Sequence, residues 1–202
     1  MTVAKDTVLI WGAGAIGGTL GAYLARAGIP VKLVDLVADH VDAMNAQGLS
    51  IKGPVDTFTI PVDAATPECL TGTFGKVLLC VKGQDTAAAA EALLPHLAED
   101  GYVVSVQNGL NEDTLAEIVG RPRTIGAFIN FGADYNGPLR HSVRRPKHGR
   151  RRRARRRNDS THRKPEGDAP SFRTERHRNA EHLGLPLGQA RLLRTALGQR
   201  AA

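Results

Sequence analysis

Short apolar runs alternate with amphipathic segments over the first two thirds of the chain. Segments of about 10 to 16 residues with apolar positions at helical spacing predict helices at 15–28, 38–48, 85–100 and 111–120. The apolar runs predict strands at 7–11, 29–36, 49–53, 57–62, 76–82, 102–109 and 124–134. Strands that alternate with helices are typical of parallel βαβ units, so the pattern predicts an α/β fold with a doubly wound parallel sheet.

The alternation stops after Val143. Residues 144–180 show no apolar periodicity, and residues 181–202 predict only a short helix. We therefore predict an α/β domain over 1–143, a basic disordered segment over 144–180, and a remnant helical region over 181–202. The charge divides at the same place. Residues 1–143 carry nine basic and fifteen acidic side chains, a net charge of −6, whereas the remainder carries eighteen basic and five acidic ones, a net charge of +13.

A glycine motif, G-A-G-A-I-G, lies directly after the first predicted strand and at the start of the first helix. Gly12 permits a tight turn, Gly14 lets the backbone approach a pyrophosphate, and Gly17 lets the helix pack close to the strand. The helix N-terminus would face the phosphates with unpaired N–H groups. The motif predicts a Rossmann-type dinucleotide-binding domain whose cofactor contacts are Gly12, Ala13, Gly14, Ala15, Ile16 and Gly17.

Three polar residues follow predicted strands of the same sheet. Asp35 ends the second strand, where a carboxylate accepts hydrogen bonds from the adenosine ribose and repels a 2′-phosphate, which favours NAD over NADP. Lys82 and Asn108 follow later strands, and ligands of open α/β sheets bind at those strand ends. A solvated aspartate, a solvated lysine and a turn-forming Asn-Gly pair are the alternative interpretations.

Cysteine and histidine usage indicates no further chemistry. Cys80 ends an apolar run and is expected to be a buried, inert thiol, so with only Cys69 besides it we expect no disulfide framework. His40, His96 and His141 lack metal-ligand spacing and are interpreted as solvated surface histidines, and no metal site is predicted. We see neither a secretory signal nor a membrane span, and we expect a cytoplasmic protein.

Four stretches together resemble the N-terminal domain of the ketopantoate reductase (2-dehydropantoate 2-reductase) family. They are IWGAGAIGG, LLCVKGQDT, VSVQNGLNED and IGAFINFGADYNGP, and the resemblance extends over residues 7–143. It implies that Lys82 and Asn108 contact the cofactor and that Asn108 also helps to bind the substrate. It further implies an NADP-dependent oxidoreductase acting on a CH–OH group, although the Asp35-Leu36 pair replaces the basic residue often found there, so NAD is kept as an alternative.

The family reaction is the reduction of 2-dehydropantoate to (R)-pantoate, in pantothenate biosynthesis. The resemblance implies this substrate or a related small 2-oxo acid, and a homodimer for the full-length form. In the family, a lysine of a helical C-terminal domain polarises or protonates the carbonyl oxygen. That domain is not recognisable after Val143, so no residue of this chain is predicted to be catalytic and we expect a truncated, inactive product.

The arginine run RRRRARRR at 150–157 suggests why the C-terminal domain of the family is not recognisable in this chain. When the first base of each codon is skipped from Arg150 to Arg157, the triplets permit Val-Val-Gly-Glu-Leu-Asp-Gly, which is similar to the strand and turn of the family. The same offset from Glu181 to Arg191 permits Asn-Ile-Trp-Gly-Tyr-Leu-Trp-Gly-Lys-Leu. This segment is similar to the first C-terminal helix, and its lysine is split across the codons of Gln189 and Ala190. We therefore predict a frameshift near codon 144.

The alternative is that the basic segment is real and binds nucleic acid from a Rossmann-like body. Such an arm would bind phosphate backbones with a strong salt dependence. Phe172 is the only aromatic residue after position 144, so side chains that could stack on bases are nearly absent. This scarcity, and the metabolic character of the first domain, favour the frameshift over nucleic-acid binding.

Overall fold

The structure, a computed structural model, describes residues 3–53, 56–129, 131–135 and 140–144. This part of the chain contains the helices α1 (Ala15–Arg26), α2 (Ala38–Gln47), α3 (Thr86–Leu93) and α4 (Glu112–Val119). Its strands are β1 (Val3–Trp11), β2 (Val31–Val34), β3 (Leu49–Lys52), β4 (Thr57–Ile60), β5 (Asp63–Ala65), β6 (Thr73–Leu79), β7 (Leu97–Ser105), β8 (Thr124–Gly126), β9 (Gly132–Tyr135) and β10 (Arg140–Arg144). Of the segments predicted for 144–180 and 181–202, the structure describes only Arg144, which is the last residue of β10 and therefore not part of a disordered segment. The remaining residues of both segments lie outside the described part of the chain.

Six strands form the main sheet in the order β5-β2-β1-β6-β7-β8. Every neighbouring pair in this sheet is parallel. Counted by their own sequence, the six strands follow the order 3-2-1-4-5-6 of dinucleotide-binding folds. The predicted Rossmann-type sheet is thereby confirmed. The strand order reverses at β1, which creates a crevice at the carboxyl ends of β1 and β6.

The central strand β1 divides the core because successive side chains point to opposite faces of a sheet. Val8 and Ile10 pack on one face in a cluster with α1, α2 and the second sheet. Leu9 and Trp11 pack on the other face with α3 and α4. All four side chains are at least 96% buried. A strand buried on both faces explains why its sequence is continuously apolar rather than alternating.

The ends of two helices agree with the sequence, and the end of a third does not. Gly28 and Gly48 have φ of +77° and +75° and follow α1 and α2, as glycine does at helix C-termini. The helix predicted for 85–100 ends at Leu93 and is followed by a 3₁₀ turn over Leu94–His96. Pro95 lacks the N–H that would continue the helix, so the following residues enter β7.

A second sheet was not predicted. Its strands lie in the order β4-β3-β10-β9, with β3 antiparallel to β4, β10 parallel to β3 and β9 antiparallel to β10. The single strand predicted for 124–134 is wrong, because β8 ends at Gly126 and β9 begins at Gly132 in the other sheet. No helix in the described part of the chain is long and apolar enough to cross a bilayer.

Candidate functional site

The glycine loop between β1 and α1 is packed so tightly that two of its glycines admit no side chain. Gly12 has a φ of +98°, and a Cβ there would lie 3.0 Å from the backbone nitrogen of Val81. A Cβ at Gly17 would lie 1.9 Å from the carbonyl oxygen of Gly12 and 3.0 Å from Cβ of Cys80. The first glycine therefore serves the turn and the contact with β6, and the last one brings α1 onto the loop.

Gly14 differs, because a Cβ there would meet no atom of the described residues within 4 Å. Its φ of −66° is open to any residue, so neither the turn nor the packing of the protein requires a glycine. The first turn of α1 has no acidic residue, and no side chain caps its N-terminus. Open space in front of uncapped helix N–H groups is the arrangement that binds a phosphate.

Asp35 lies beside this loop and forms a hydrogen bond with its backbone. Its Oδ2 accepts a hydrogen bond from the Ala13 N–H at 3.0 Å, and its Oδ1 accepts one from the Val37 N–H at 3.1 Å. Each carboxylate oxygen retains a second lone pair for a ligand hydroxyl. The aspartate therefore fixes the loop as well as presenting acceptors at the end of β2, a structural role that the sequence did not reveal.

The residues that follow β6 and β7 form the other wall of the crevice. Lys82 and Asn108 are both exposed, each a few residues beyond its strand, as the sequence predicted for residues at this edge. The Asn108 carbonyl accepts a hydrogen bond from Asn111 Nδ2 at 3.0 Å. Asn111 itself lies next to Gly83, where a Cβ would lie 3.0 Å from its Oδ1. The structure thus joins the Lys82 and Asn108 loops through one asparagine.

Gln107 is a residue of this wall that sequence reasoning missed. Its Nε2 donates to the Val81 carbonyl at 3.1 Å and to Thr86 Oγ1 at 2.8 Å. Its Oε1 accepts a hydrogen bond from Ser105 Oγ at 3.2 Å. The glutamine therefore links the end of β7 to the loop that touches Gly12. Its place in the QNG turn was the available signal, but only the asparagine was assigned a role.

Behind the glycine loop lies a cluster of three rings, formed by His40, Tyr135 and His141. Their ring centroids are 5.2 to 6.1 Å apart, and the tyrosine meets each histidine edge to face. His40 is 3% exposed and His141 is fully buried, so the interpretation of both as solvated surface histidines is wrong. Their neighbours come from distant parts of the chain, which explains why no local sequence pattern indicated that these histidines are buried.

Burial lowers the pKa of His141 to about 4, and the nearby His40 adds to this shift. The backbone carbonyl groups of Ala13 and Gly14 act in the opposite direction but do not compensate. Neither ring nitrogen of His141 has a hydrogen-bond partner among the described residues. The ring packs against Gly18, where a Cβ would lie 2.5 Å from its Nε2. His141 is therefore neutral in the folded protein at neutral pH.

We expect His141 to make the protein acid-sensitive. Between pH 6.5 and pH 4 the unfolded state binds a proton that the folded state does not, so the free energy of unfolding falls as the pH falls. The shift from 6.5 to about 4 corresponds to a loss of roughly 3 kcal/mol by pH 4. Urea unfolding of the wild type and of His141→Phe at pH 7 and pH 4.5 measures it. Equal losses in both proteins would contradict the assignment.

Other candidate chemistry is sparse in the described residues. They contain no group of three or more His, Cys, Asp or Glu side chains that could hold a metal. Cys80 is a free thiol whose pKa is raised by burial, in agreement with the expected inert state, and Cys69 is free and exposed. The candidate site at the carboxyl edge of the parallel sheet consists of backbone amides, the side chains of Gln107 and Asn108, the Asp35 carboxylate and the Lys82 side chain.

The sequence family agrees with this geometry. The profile of the ketopantoate reductase PanE/ApbA family matches residues 8–150, which is more than half of the chain. The chain belongs to this family. Membership confirms the resemblance inferred from the four motif stretches, all of which lie inside the matched residues.

Individual relatives match about two thirds of this ketopantoate reductase family member. The 2-dehydropantoate 2-reductase of Pyrococcus abyssi (strain GE5 / Orsay) is 36% identical over 134 residues, which are 65% of this chain and 42% of the relative. The crystal structure of the PanE/ApbA family ketopantoate reductase from Ralstonia eutropha JMP134 is 36% identical with a TM-score of 0.60, covering 67% of this chain and 45% of that one.

A D-mandelate dehydrogenase, solved with NADH and anilino(oxo)acetate, superposes with a TM-score of 0.64 at 21% identity, over 68% of this chain and 45% of that chain. At this identity the likeness supports the fold alone. In each comparison the chain spans less than half of the length of the protein that it matches.

Proposed function

We propose that residues 1–143 are the dinucleotide-binding half of an oxidoreductase that reduces 2-dehydropantoate or a related small 2-oxo acid. The observation that carries this proposal is the open space at Gly14, in front of an uncapped helix in a ketopantoate reductase family member. A bound reduced nicotinamide would supply the hydride for the substrate carbonyl carbon. The chain's own residues supply binding and orientation.

The proposed contacts follow the geometry of the crevice. The backbone of Gly12–Gly17 binds the pyrophosphate, because a Cβ at Gly14 would meet no described atom within 4 Å and no side chain caps the N-terminus of α1. Asp35 accepts hydrogen bonds from the adenosine ribose hydroxyl groups. Lys82 contacts a phosphate or ribose, and Asn108 contacts the nicotinamide ribose and the substrate. Gln107 holds these loops in place through its hydrogen bonds to Val81 and Thr86.

Catalysis needs a further group that we do not assign within the described residues. The family lysine corresponds to the triplet split across Gln189 and Ala190, so we propose that the 202-residue chain binds dinucleotide weakly and turns over little substrate. Leu110 and Phe128 are apolar and 93% and 69% exposed. Exposed apolar side chains of this kind suit a surface on which a helical domain would pack. We also propose that the full-length form is a homodimer.

Titration of the whole chain with NADH tests the proposal. Trp11 is the only tryptophan and directly precedes Gly12, so its emission reports energy transfer to a reduced nicotinamide bound at the loop. We expect saturable quenching of tryptophan emission together with sensitised nicotinamide emission, and competition by ADP. The absence of transfer at millimolar NADH from a folded chain would refute the proposed binding site.

The residues after β2 support NADH rather than NADPH as the cofactor. The segment 35–39, Asp-Leu-Val-Ala-Asp, carries two carboxylates and no cation. The nearest basic side chains in sequence are engaged elsewhere, since Lys32 pairs with Asp63 and Arg26 pairs with Asp56. A 2′-phosphate would therefore lie against the Asp35 carboxylate without a compensating charge.

We expect the chain to bind NADH at least about tenfold more tightly than NADPH, which corresponds to about 1.4 kcal/mol. Leu36 is 81% exposed, so Leu36→Arg adds a cation beside the ribose without disturbing the core. This variant should move the ratio of the two dissociation constants toward NADPH by about tenfold, whereas Leu36→Gln should leave it unchanged. A wild type that prefers NADPH would exclude this role of Asp35 but leave the proposed reaction intact.

A further inference from the structure

The peptide that joins Ala13 to Gly14 is held from both sides. The Ala13 N–H donates to Asp35 Oδ2 at 3.0 Å and also lies 3.1 Å from the Val34 carbonyl oxygen. The Ala13 carbonyl oxygen lies 3.2 Å from Nε2 of His40. A carbonyl can only accept, so Nε2 of His40 carries a proton and donates it to the Ala13 carbonyl.

This contact sets the direction of the neighbouring amide. In a planar trans peptide the carbonyl and the following N–H point in opposite directions. The Ala13 carbonyl points inward, to a histidine that is 3% exposed. The Gly14 N–H therefore points outward, to the side where a Cβ at Gly14 would meet no described atom within 4 Å. That side is where the proposed pyrophosphate binds.

The ring of His40 is itself fixed in place. Tyr135 packs edge to face on it with centroids 5.2 Å apart, and the ring of His141 lies 6.1 Å away. His141 in turn packs against Gly18 of α1. His40 Nδ1 has no hydrogen-bond partner among the described residues, so the Ala13 carbonyl is the polar contact that the buried ring makes there. The ring of the buried histidine thus makes one hydrogen bond within the described part of the chain, and that bond is to the loop.

We propose that His40 is a positioning residue that orients the Gly14 N–H toward the dinucleotide pyrophosphate by holding the Ala13 carbonyl from behind. The inference rests on the proposed function, because it assigns the part of the crevice that faces the phosphates. His40 does not touch the ligand. It preorganises the donor, so the loop does not have to reorient its peptide when the cofactor binds.

Two amide substitutions separate this role from simple packing. The amide of glutamine reaches the position of histidine Nε2, whereas that of asparagine reaches only the position of Nδ1. We expect His40→Asn to raise the dissociation constant of NADH about tenfold and His40→Gln to keep it within about threefold of the wild type. The measurement is isothermal titration calorimetry of the whole chain with NADH, with thermal melts to establish folding.

His96→Gln is the matched control, because the glutamine amide misses the position of Nδ1 and so removes the bond of His96 Nδ1 to a backbone carbonyl, that of Gly72 at 3.1 Å, at a site that does not touch the loop. Its NADH affinity should stay within about twofold of the wild type. Equal affinities, or equal losses, in the Asn and Gln variants of His40 would overturn the proposal. A wild type that binds no NADH would instead refute the proposed function, and this inference with it.

A second measurement does not depend on the stability of a variant. The ¹⁵N chemical shifts of the His40 ring in the wild-type chain distinguish the two neutral tautomers. We expect the Nε2–H form, since only this form can donate to the Ala13 carbonyl. The Nδ1–H form would overturn the proposal even if no variant of His40 could be purified.

Discussion

Removing one nucleotide near codon 144 is expected to raise strongly the rate at which the encoded protein reduces 2-dehydropantoate. We expect the shifted frame to restore the lysine that polarises or protonates the substrate carbonyl in the family, and a positioned proton donor alone contributes about 10²- to 10⁴-fold to a rate. We therefore expect kcat/KM to rise at least about a thousandfold over that of the 202-residue chain. Steady-state oxidation of NADH with 2-dehydropantoate measures it.

The reason for this expectation lies in two separate segments. Arg150–Arg157 and Glu181–Arg191 give family-like residues at the same codon offset and in the family order, which chance rarely produces twice. Runs of arginine are also what a GC-rich gene gives out of frame.

The control is the same restored gene with the lysine triplet that spans Gln189 and Ala190 changed to alanine. This variant should bind NADH as the restored chain does but lose most of its turnover. Rereading the DNA across codons 138 to 150 supplies an independent answer. An intact frame, together with a salt-sensitive RNA gel shift that disappears when residues 144–158 are deleted, would favour the nucleic-acid-binding alternative instead.

The main sheet could be predicted because its information is local. β1 and the carboxyl-terminal parts of β6 and β7 are continuous apolar runs, each helix has its own periodicity, and the glycine loop has a fixed spacing between strand and helix. The short edge strand β5 has no such run and was not predicted. The second sheet could not be predicted in the same way. Its β10 pairs with β3 some ninety positions earlier, His141 opposite Ile51, and nothing local to residues 140–144 indicates that partner.

In the candidate site, too, the contacts that depend on local sequence could be predicted and those that depend on long-range packing could not. The backbone contacts of Gly12, Gly14 and Gly17 follow from spacing, since each glycine serves a local turn or close approach. The side chains that hold the loop from behind do not, because their roles depend on long-range packing. His40 reaches Ala13 across 27 positions, and Gln107 reaches Val81 across 26. Side chains that hold a loop in place, such as His40 and Gln107, are therefore harder to predict from the sequence than the loop motif itself.

Replacing Gly14 by alanine is expected to weaken NADH binding, whereas replacing Gly17 by alanine is expected to lower the stability of the fold. At Gly14 the new methyl group enters open space and the backbone conformation is unstrained, so the Tm should stay within about 2 °C of the wild type. The same methyl group occupies the space of the proposed pyrophosphate. We therefore expect the dissociation constant of NADH to rise at least about tenfold in Gly14→Ala, measured by calorimetry.

At Gly17 the methyl group would lie 1.9 Å from the Gly12 carbonyl oxygen, so α1 must move away from the loop. We expect Gly17→Ala to lose about 3 kcal/mol of stability, or about 10 °C in Tm. Gly75→Ala is the control, because a Cβ there also meets no described atom within 4 Å but lies in β6, away from the loop. It should change neither property. If Gly14→Ala binds NADH as the wild type does, the open space at the start of α1 is not a phosphate site, whatever Gly17→Ala does to the fold.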